Sequence, residues 1–343
     1  MKGKDAVNLK KILTTIDTHT AGGPTRTLIA GLPPLPGSSV AEKMDYFRVH
    51  YDSVRKLLML EPRGHRDMSG AVLTQPCDPE ANLGAFFLTS RGYLRACVHS
   101  SIGLATAGLE TGFIPRESIS ADGSIKLEIP AGVVSLLPEY RGDKLEAMAM
   151  RTQPAFLYAD KEELHVNSRY RFRVTIAFSG VFFLLIDVTQ FQRTDLTIVP
   201  ENAARLAALG VEILEAANRR FQVRHPENPN IRSLEMLMLY EDLDDYHARD
   251  IVIGQSGGVD RSPCGAGTGA KMVCHFANGS LAINQKYTLE SFLGTRFTGR
   301  IVGAAQVGQF PGGVPEITGT AFITGMHQFV VEENDPLKEG FLF

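Results

Sequence analysis

The sequence predicts an α/β (α+β) protein made of two halves that share a plan. At 343 residues the chain is longer than a single hydrophobic core usually serves. Strand-like apolar runs and stretches with helical spacing follow each other in the same order twice. Each half has a cysteine followed fifteen residues later by a glycine: Cys97 and Gly112, then Cys264 and Gly279. Each segment predicts a buried helix of about four turns with a cysteine at its N-terminus and a glycine C-cap.

The first half is predicted to contain strands and a surface helix before the helix of Cys97. Residues 12–29 mix β-branched and polar residues around a glycine-rich turn, which indicates two strands. Residues 41–59 carry apolar residues at helical spacing and stop before a Glu-Pro-Arg-Gly sequence. Short apolar runs at 71–74 and 83–89 predict buried strands.

The second half repeats this order with a longer helix. Residues 170–188 are strongly β-like, and residues 203–223 place apolar side chains on one helical face. Residues 234–240 and 250–253 predict strands, after which a loop leads to the helix of Cys264. The predicted domains are residues 1–165, to which a tail at about 329–343 returns, and residues 166–328.

Composition and charge favour a globular cytoplasmic protein without a nucleic-acid or membrane partner. The formal charge is −3, which argues against a polyanion-binding surface. No apolar stretch is long enough to cross a bilayer. Residues 1–13 lack the apolar core and cleavage site of a secretory signal, so we expect a cytoplasmic location.

The four cysteines indicate reactive or buried thiols, not disulfides or metal ligands. Cys77, Cys97, Cys264 and Cys274 form no CxxC pair and lack the spacing of a zinc site. The sequence has no Walker motif and no GxGxxG after a strand, so it shows no nucleotide-binding motif. We therefore expect neither a metal nor a cofactor, and we interpret Cys77 and Cys274 as buried fillers.

A cysteine at a helix N-terminus faces unpaired N–H groups and the positive end of the helix dipole. Such positions lower a thiol pKa from about 8.5 to about 3.5–7.5. A lone cysteine beside glycines is more often a buried filler, but residues 260–269 are polar and glycine-rich, which is typical of a backbone nest.

Two such helix ends would hold one carboxylate and place a sulfur on each side of its α-carbon. One thiolate would remove the α-proton, and the other thiol would return a proton to the opposite face. Each sulfur would approach the α-carbon to about 3–3.5 Å, so the two sulfurs would lie roughly 7 Å apart.

Four segments resemble motifs of the proline racemase family, which includes proline racemases, 4-hydroxyproline 2-epimerases and trans-3-hydroxy-L-proline dehydratases. Residues 260–272 read DRSPCGAGTGAKM and resemble the family signature DRSPCGTGTSA. Residues 17–22, DTHTAG, resemble DTHTxGE, and residues 61–68 resemble EPRGHxDM. Residues 96–112, ACVHSSIGLATAGLETG, resemble MCGHGTIGLATALVETG. The resemblance covers the chain from about residue 12 to its end.

The resemblance implies a diaminopimelate epimerase/proline racemase-like fold. In that fold two pseudosymmetric domains each wrap a mixed sheet around a central helix, and the active site lies in the interdomain cleft. It implies Cys97 and Cys264 as the catalytic acid–base pair. Family members are commonly homodimers and need no cofactor. The implied substrate contacts are the backbone amides of Val98, His99, Gly265 and Ala266 for the carboxylate, with Asp260 and His99 near the amine.

Several departures from the family motifs bear on the substrate. Val98 replaces the glycine beside the first cysteine, so the backbone there must suit a β-branched residue. Ala266 lacks the hydroxyl of the family's threonine. Ser69 and Ile253 stand where proline racemases resemble one another in having aromatic residues that wall the pyrrolidine ring. A smaller wall with a hydroxyl suits a hydroxylated ring or another amino acid better than proline.

The predicted function is a cofactor-independent racemase or epimerase that inverts the α-carbon of proline, hydroxyproline or a related amino acid. A trans-3-hydroxy-L-proline dehydratase is the nearest alternative, but such dehydratases typically have threonine in place of the second cysteine, and Cys264 argues against one. A thiol redox protein or a non-catalytic amino-acid binding protein are alternatives from other classes. Asp260 could instead cap its loop, and His99 could be a buried structural histidine.

Overall fold

The computed structural model describes residues 9–168, 170–191 and 196–342. Residues 1–8, which belong to the segment predicted to lack a secretory signal, lie outside this description. The described chain is a mixed α/β structure. Its strands are β1 (Leu9–Thr20), β2 (Gly23–Ala30), β3 (Ser69–Thr74), β4 (Leu83–Thr89), β5 (Gly92–Leu94), β6 (Ile125–Ile129), β7 (Gly132–Arg141), β8 (Lys144–Arg151), β9 (Ala155–His165), β10 (Arg171–Ser179), β11 (Val181–Asp187), β12 (Leu234–Asp244), β13 (His247–Gly254), β14 (Val259–Asp260), β15 (Tyr287–Ser291), β16 (Arg296–Val307), β17 (Phe310–Gly319) and β18 (Ala321–Glu332). Its α-helices are α1 (Val40–His50), α2 (Asp52–Met59), α3 (Val98–Thr111), α4 (Ala203–Arg220) and α5 (Gly265–Ala277).

The chain divides into two compact units whose boundaries differ from the predicted ones. Unit 1 consists of the described parts of Met1–Thr20, Pro24–Leu136 and Ala321–Phe343, and unit 2 of those of Ala21–Gly23 and Leu137–Thr320. Residues 137–165 belong to unit 2 because β8 pairs with β17, and β9 pairs with β10 and β17. Residues 321–328 belong to unit 1 because β18 pairs with β1 along its whole length.

Unit 1 wraps strands around α3. β1 and β18 are antiparallel, β2 lies parallel to β3, and β3, β4 and β5 continue antiparallel. α3 packs on β1, β3 and β18, and its residues from Val98 to Leu109 are all buried. Phe47, Leu58 and Phe86 form part of a separate apolar core under α1 and α2. Gly103, one of the small residues that predicted a buried helix, allows β1 to pack close to α3.

The helix predicted at residues 41–59 is in fact two helices, α1 and α2. Tyr51 interrupts it with φ −132° and ψ 18°. Asp52 begins α2, and its carboxylate accepts hydrogen bonds from Arg55 Nε at 2.6 Å and from the Tyr93 hydroxyl at 2.7 Å. An acidic residue in the first turn is favoured by the helix dipole, so a new helix starts here although the apolar spacing continues.

Unit 2 places α4 and α5 on a mixed sheet. β11 lies parallel to β12, β12 and β13 are antiparallel, β13 is parallel to β15, and β15, β16 and β17 continue antiparallel. α4 packs on β12 and β13, where Leu206, Ile213 and Ile251 share one apolar core. α5 packs on β9, β10, β16 and β17. Each unit is therefore a mixed sheet around a central helix that follows a cysteine, as the sequence predicts.

None of the helices in the described ranges is both long and apolar enough to span a membrane.

Candidate active site

Cys97 is the N-cap of α3, as the sequence predicts. Its backbone is extended, with φ −155° and ψ 109°, and the residue is 9% exposed. Val98 is the first residue of the helix, so this position needs no glycine-only backbone and tolerates the β-branched side chain. Gly112 ends the helix in the left-handed conformation, with φ +82°. The predicted segment from cysteine to glycine is confirmed.

The surroundings of Cys97 favour its thiolate. The sulfur lies 3.6 Å from His99 Nδ1 and 3.2 Å from Ser100 Oγ. Burial raises the pKa of Cys97, but the charge of His99 and hydrogen bonds from His99 and Ser100 outweigh it, so its pKa lies below the usual value. His99 and Ser100 are both buried. The first cysteine is therefore suited to act as a base.

Cys264 is the N-cap of α5 and lies in the opposite electrostatic environment. It is 8% exposed, and burial together with the charge of Asp260 raises its pKa well above the usual value. Its sulfur accepts a hydrogen bond from the Gly267 N–H at 3.4 Å. A Cβ on Gly267 would lie 3.2 Å from the Cβ of Cys264 and 3.4 Å from its sulfur, so glycine gives the cysteine side chain room beside this amide. The second cysteine is suited to act as an acid.

Cys264 also has a strained backbone. Its φ is +54°, a region in which residues other than glycine are uncommon and which costs about 1–3 kcal/mol. Ser262 supports this conformation, because its hydroxyl accepts a hydrogen bond from the Cys264 N–H at 3.2 Å. Gly279 follows the C-cap residue with φ +79°, as predicted for the helix end. Strained residues cluster at functional sites, which singles out this cysteine.

Asp260 caps the loop that precedes Cys264. Its Oδ1 accepts hydrogen bonds from the Ser262 N–H at 2.9 Å and from the Ser262 hydroxyl at 2.8 Å. The capping role that the sequence left open is therefore confirmed. The carboxylate is half-buried, and its charge acts on both Cys264 and Asp250.

Asp250 is a neighbour of this site that sequence reasoning missed. It is 1% exposed, and neither of its carboxyl oxygens has a hydrogen-bond partner within the described residues. Val252 pairs with Asp260, and side chains alternate along a strand, so Asp250 and Asp260 lie on the same face of the sheet. Burial, followed by the charge of Asp260, raises the pKa of Asp250 well above the usual value. The available signal was an acidic residue directly before the apolar run Ile251, Val252 and Ile253.

The remaining predicted site residues divide into those at a helix tip and those elsewhere. Gly265 and Ala266 open α5 directly after Cys264. Ser69 is the half-buried first residue of β3, a strand on which α3 packs. Ile253 is fully buried, and its side chain is the one that a Cβ on Gly210 of α4 would meet. The side chain of Ile253 thus points into the core, on the opposite side of the sheet from Asp260. This position does not support the predicted place of Ile253 in the substrate wall.

The DTHT motif holds α3 in place. Asp17 and Arg26 form a buried ion pair at 2.8 Å, and the Thr20 hydroxyl donates to the His99 carbonyl oxygen at 2.8 Å. A Cβ on Gly103 would lie 2.5 Å from Thr18 Oγ1, so this helix can approach β1 only with glycine at that position. The motif therefore positions the helix that carries Cys97.

No cluster of three or more His, Cys, Asp or Glu side chains within residues 9–168, 170–191 and 196–342 is arranged to hold a metal ion.

Comparisons with known proteins identify the family of this chain. The sequence model for proline racemase matches residues 15–342. The proline racemase of Clostridioides difficile is 38% identical over 344 residues, covering 98% of this chain and 99% of the relative. The trans-3-hydroxy-L-proline dehydratase of Bacillus cereus is 33% identical over 338 residues, with coverage of 98% and 99%.

A solved structure shows the same fold. The crystal structure of a hydroxyproline epimerase from Agrobacterium vitis, with bound trans-4-hydroxy-L-proline, superposes with a TM-score of 0.86 at 29% identity. The superposition covers 97% of this chain and 96% of that one. The fold and family expected from the sequence motifs are both confirmed, and the chain belongs to the proline racemase family.

Proposed function

We propose that this protein inverts the α-carbon of proline, hydroxyproline or a related amino acid by two-base proton transfer between Cys97 and Cys264. The observation that carries the proposal is the contrast between the two helix tips. Each holds a buried cysteine, but one environment favours the thiolate and the other the thiol. Inversion at carbon needs this unequal pair, because one group must accept a proton while the other supplies one.

In the proposed reaction the Cys97 thiolate removes the α-proton and becomes a thiol. The electron pair left on the α-carbon delocalises into the carboxylate as an enediolate-like charge. The Cys264 thiol then donates its proton to the opposite face and becomes a thiolate. After this step Cys97 is the thiol and Cys264 the thiolate. The reverse reaction, or proton exchange with solvent, restores the starting state.

Backbone N–H groups supply the proposed carboxylate site. Val98 and His99 open α3, and Gly265 and Ala266 open α5, so their N–H groups belong to the unpaired first turns. Such groups bind anions and stabilise charge that develops in a transition state. In the proposal Asp260 and His99 lie near the substrate amine.

Within the family, we propose a hydroxylated proline as the preferred substrate. Ser69, a small side chain with a hydroxyl, stands where the resemblance to proline racemases implies an aromatic residue. The Agrobacterium vitis relative holds trans-4-hydroxy-L-proline, which makes that compound the first to assay.

A trans-3-hydroxy-L-proline dehydratase is the second candidate, because a dehydratase relative matches 98% of the chain at 33% identity. Elimination of the β-hydroxyl needs one base to remove the α-proton and does not require a second thiol. Cys264 therefore favours inversion over elimination. Product analysis with trans-3-hydroxy-L-proline separates the two: a ketimine-derived product without any inverted amino acid would reverse this preference.

The experiment measures inversion by chiral chromatography and α-hydrogen exchange in D₂O for proline and its 3- and 4-hydroxy derivatives. Cys97→Ser and Cys264→Ser are each expected to lower the inversion rate by about 10²–10⁴-fold. Cys77→Ser is the matched control, because the Cys77 thiol donates to the Gly37 carbonyl oxygen at 3.6 Å, away from both helix tips, and the variant should retain activity. Full activity in either active-site variant, or no exchange with any of these substrates, would contradict the proposal.

A further inference from the structure

Two hydroxyl groups form a chain that ends on the sulfur of Cys97. The Thr25 hydroxyl donates to Ser100 Oγ at 3.1 Å, and Ser100 Oγ lies 3.2 Å from Cys97 Sγ. Thr25 and Ser100 are both fully buried. Ser100 also departs from the family motif quoted above, MCGHG, in which this position is glycine. The hydroxyl beside the sulfur is therefore a feature of this sequence and not of the shared motif.

The direction of these hydrogen bonds follows from the number of protons that each hydroxyl can donate. A serine hydroxyl has one proton to donate and two lone pairs to accept with. Because Ser100 accepts from Thr25, its own proton remains available for the sulfur. Hydrogen bonds to a charged acceptor are about twice as strong as neutral ones, so this arrangement favours the charged form of Cys97. When the sulfur carries a proton, the S–H group can donate to Ser100 Oγ instead.

The two catalytic candidates use different donors. The sulfur of Cys264 accepts from a backbone N–H of its own helix. At Cys97 the Ser100 amide also lowers the pKa as a backbone donor, but the hydrogen bond from the Ser100 side chain is the larger of these two causes. A side-chain hydroxyl thus occupies the donor position at the first cysteine, where a substitution can remove it without altering the backbone.

We propose that Ser100, oriented by Thr25, is a positioning residue that holds Cys97 as the thiolate and so makes it the base of the resting enzyme. The part of this inference that concerns the reaction rests on the proposed function, whereas the part that concerns the thiolate does not.

The charged groups on the strands next to α3 are not the source of the lowered pKa of Cys97. Asp17 and His19 lie on β1, Arg26 on β2 and His327 on β18. Asp17 is neutralised by Arg26 at 2.8 Å and also lies 3.6 Å from His327 Nε2. The charge that acts on Cys97 is that of His99 on α3 itself. The lowered pKa of Cys97 therefore has two side-chain sources, His99 and Ser100, and removal of one leaves the other.

The test follows the alkylation of Cys97 by iodoacetamide as a function of pH, with peptide mass spectrometry to separate the cysteines. Ser100→Ala should shift the midpoint for Cys97 to higher pH and slow its alkylation at pH 7 by about tenfold, with no change in the limiting rate at high pH. Thr25→Val should shift it the same way by less, and Ser100→Thr should restore the wild-type profile. The profile of Cys264 in the same samples should not move.

Ser101→Ala is the matched control, because Ser101 is the next residue of α3 and its hydroxyl donates to the Cys97 carbonyl oxygen at 2.8 Å, not to the sulfur. It should leave the Cys97 profile unchanged. In assays of inversion, Ser100→Ala should lower kcat at neutral pH and leave KM nearly unchanged. The kcat of this variant should return toward the wild-type value at higher pH.

The outcomes separate the inference from the proposed function. A Cys97 profile that is the same in wild type, Ser100→Ala and Thr25→Val would overturn the inference. If Ser100→Ala does not fold, Thr25→Val alone decides in the same way. A shifted profile in a protein that inverts no amino acid would support the hydroxyl chain and reject the proposed reaction.

Discussion

Cys97 and Cys264 are the same residue at the same kind of position, and their environments drive their pKa values in opposite directions. Both are helix N-caps, and both are less than one-tenth exposed. The difference comes from neighbours: His99 and Ser100 favour the thiolate at one site, whereas Asp260 opposes it at the other. The helix dipole alone would favour thiolate at both. Neighbouring side chains therefore decide which cysteine favours the thiolate and, in the proposed reaction, which one begins as the base.

This contrast predicts unequal reactivity in the wild-type protein. At pH 7 iodoacetamide should alkylate Cys97 at least about tenfold faster than Cys264, because the thiolate is the nucleophile. The exposures of 9% and 8% are too similar for access to account for such a difference. Time-resolved peptide mass spectrometry measures both rates in one sample. Equal rates, or faster modification of Cys264, would contradict the assignment of base and acid.

Asp250 predicts a dependence of stability on pH. Its raised pKa in the folded state means that the unfolded chain loses this proton first as the pH rises. The proton that Asp250 keeps in the folded state therefore stabilises the protein fully below the unfolded pKa of about 3.9. This stabilisation is lost as the pH rises toward the folded pKa, by up to about 1.4 kcal/mol per pH unit. Asp250→Asn removes this loss. The Tm of the variant minus that of wild type should therefore increase from pH 5 to pH 8.

Asp122→Asn is the control for that comparison. Asp122 is exposed, and hydrogen bonds from Ser124 and Lys126 lower its pKa to about 2. It is ionised in both folded and unfolded states from pH 5 to pH 8, so the Tm difference between this variant and wild type should stay constant. A constant difference for Asp250→Asn as well would show that Asp250 is ionised in the folded protein.

At the scale of elements, the position of α3 depends on one glycine. A Cβ on Gly103 would lie 2.5 Å from Thr18 Oγ1 and 3.1 Å from Thr20 Oγ1, both on β1. Gly103→Ala should therefore destabilise the protein by about 1–3 kcal/mol through overpacking, although alanine is the better helix former by about 1 kcal/mol. Urea denaturation measures the change in the free energy of unfolding. Glu110→Ala, at an exposed position of the same helix, should change it by less than about 0.5 kcal/mol.

A stabilised Gly103→Ala variant would mean that α3 can move away from β1 without cost. The prediction that α3 needs small residues for close packing would then be wrong.

At the scale of the whole molecule, the C-terminal strand completes unit 1. β18 pairs with β1 from Leu9 to Thr20, so the first and last described strands of the chain form one antiparallel pair. A chain that ends at Thr320 should lose amide protection from hydrogen exchange throughout unit 1, while α4 and α5 in unit 2 remain protected. Hydrogen-exchange mass spectrometry measures both in one experiment.

A chain that ends at Glu333 is the control for the shorter truncation. It keeps β18 and loses the ion pair of Arg63 with Asp335 at 3.0 Å and the pairing of Glu61 with Phe341. A partly exposed ion pair contributes at most about 1 kcal/mol, so unit 1 should stay protected. Equal loss of protection in both truncations would show that the tail and not β18 stabilises this unit.

Much of the candidate site could be predicted from the sequence because its signals are local. A cysteine before a run of small residues, closed by a glycine, predicts a helix with a thiol at its tip whatever the chain does elsewhere. Gly112 and Gly279 have the positive φ that this pattern requires. Local signals failed where a break left the apolar spacing unchanged, as at Tyr51.

The sequence by itself determined the family, the fold class, the two cysteines and the helices that carry them, because motif spacing and helix-end chemistry lie within a few consecutive residues. Only the tertiary structure decided which side chains meet: Thr25 with Ser100, Asp250 with Asp260, and Ile253 with the core under α4. The physical reason is that electrostatic and hydrogen-bond partners act over a few ångströms in space. Residues 75 positions apart along the chain, such as Thr25 and Ser100, become neighbours only after folding.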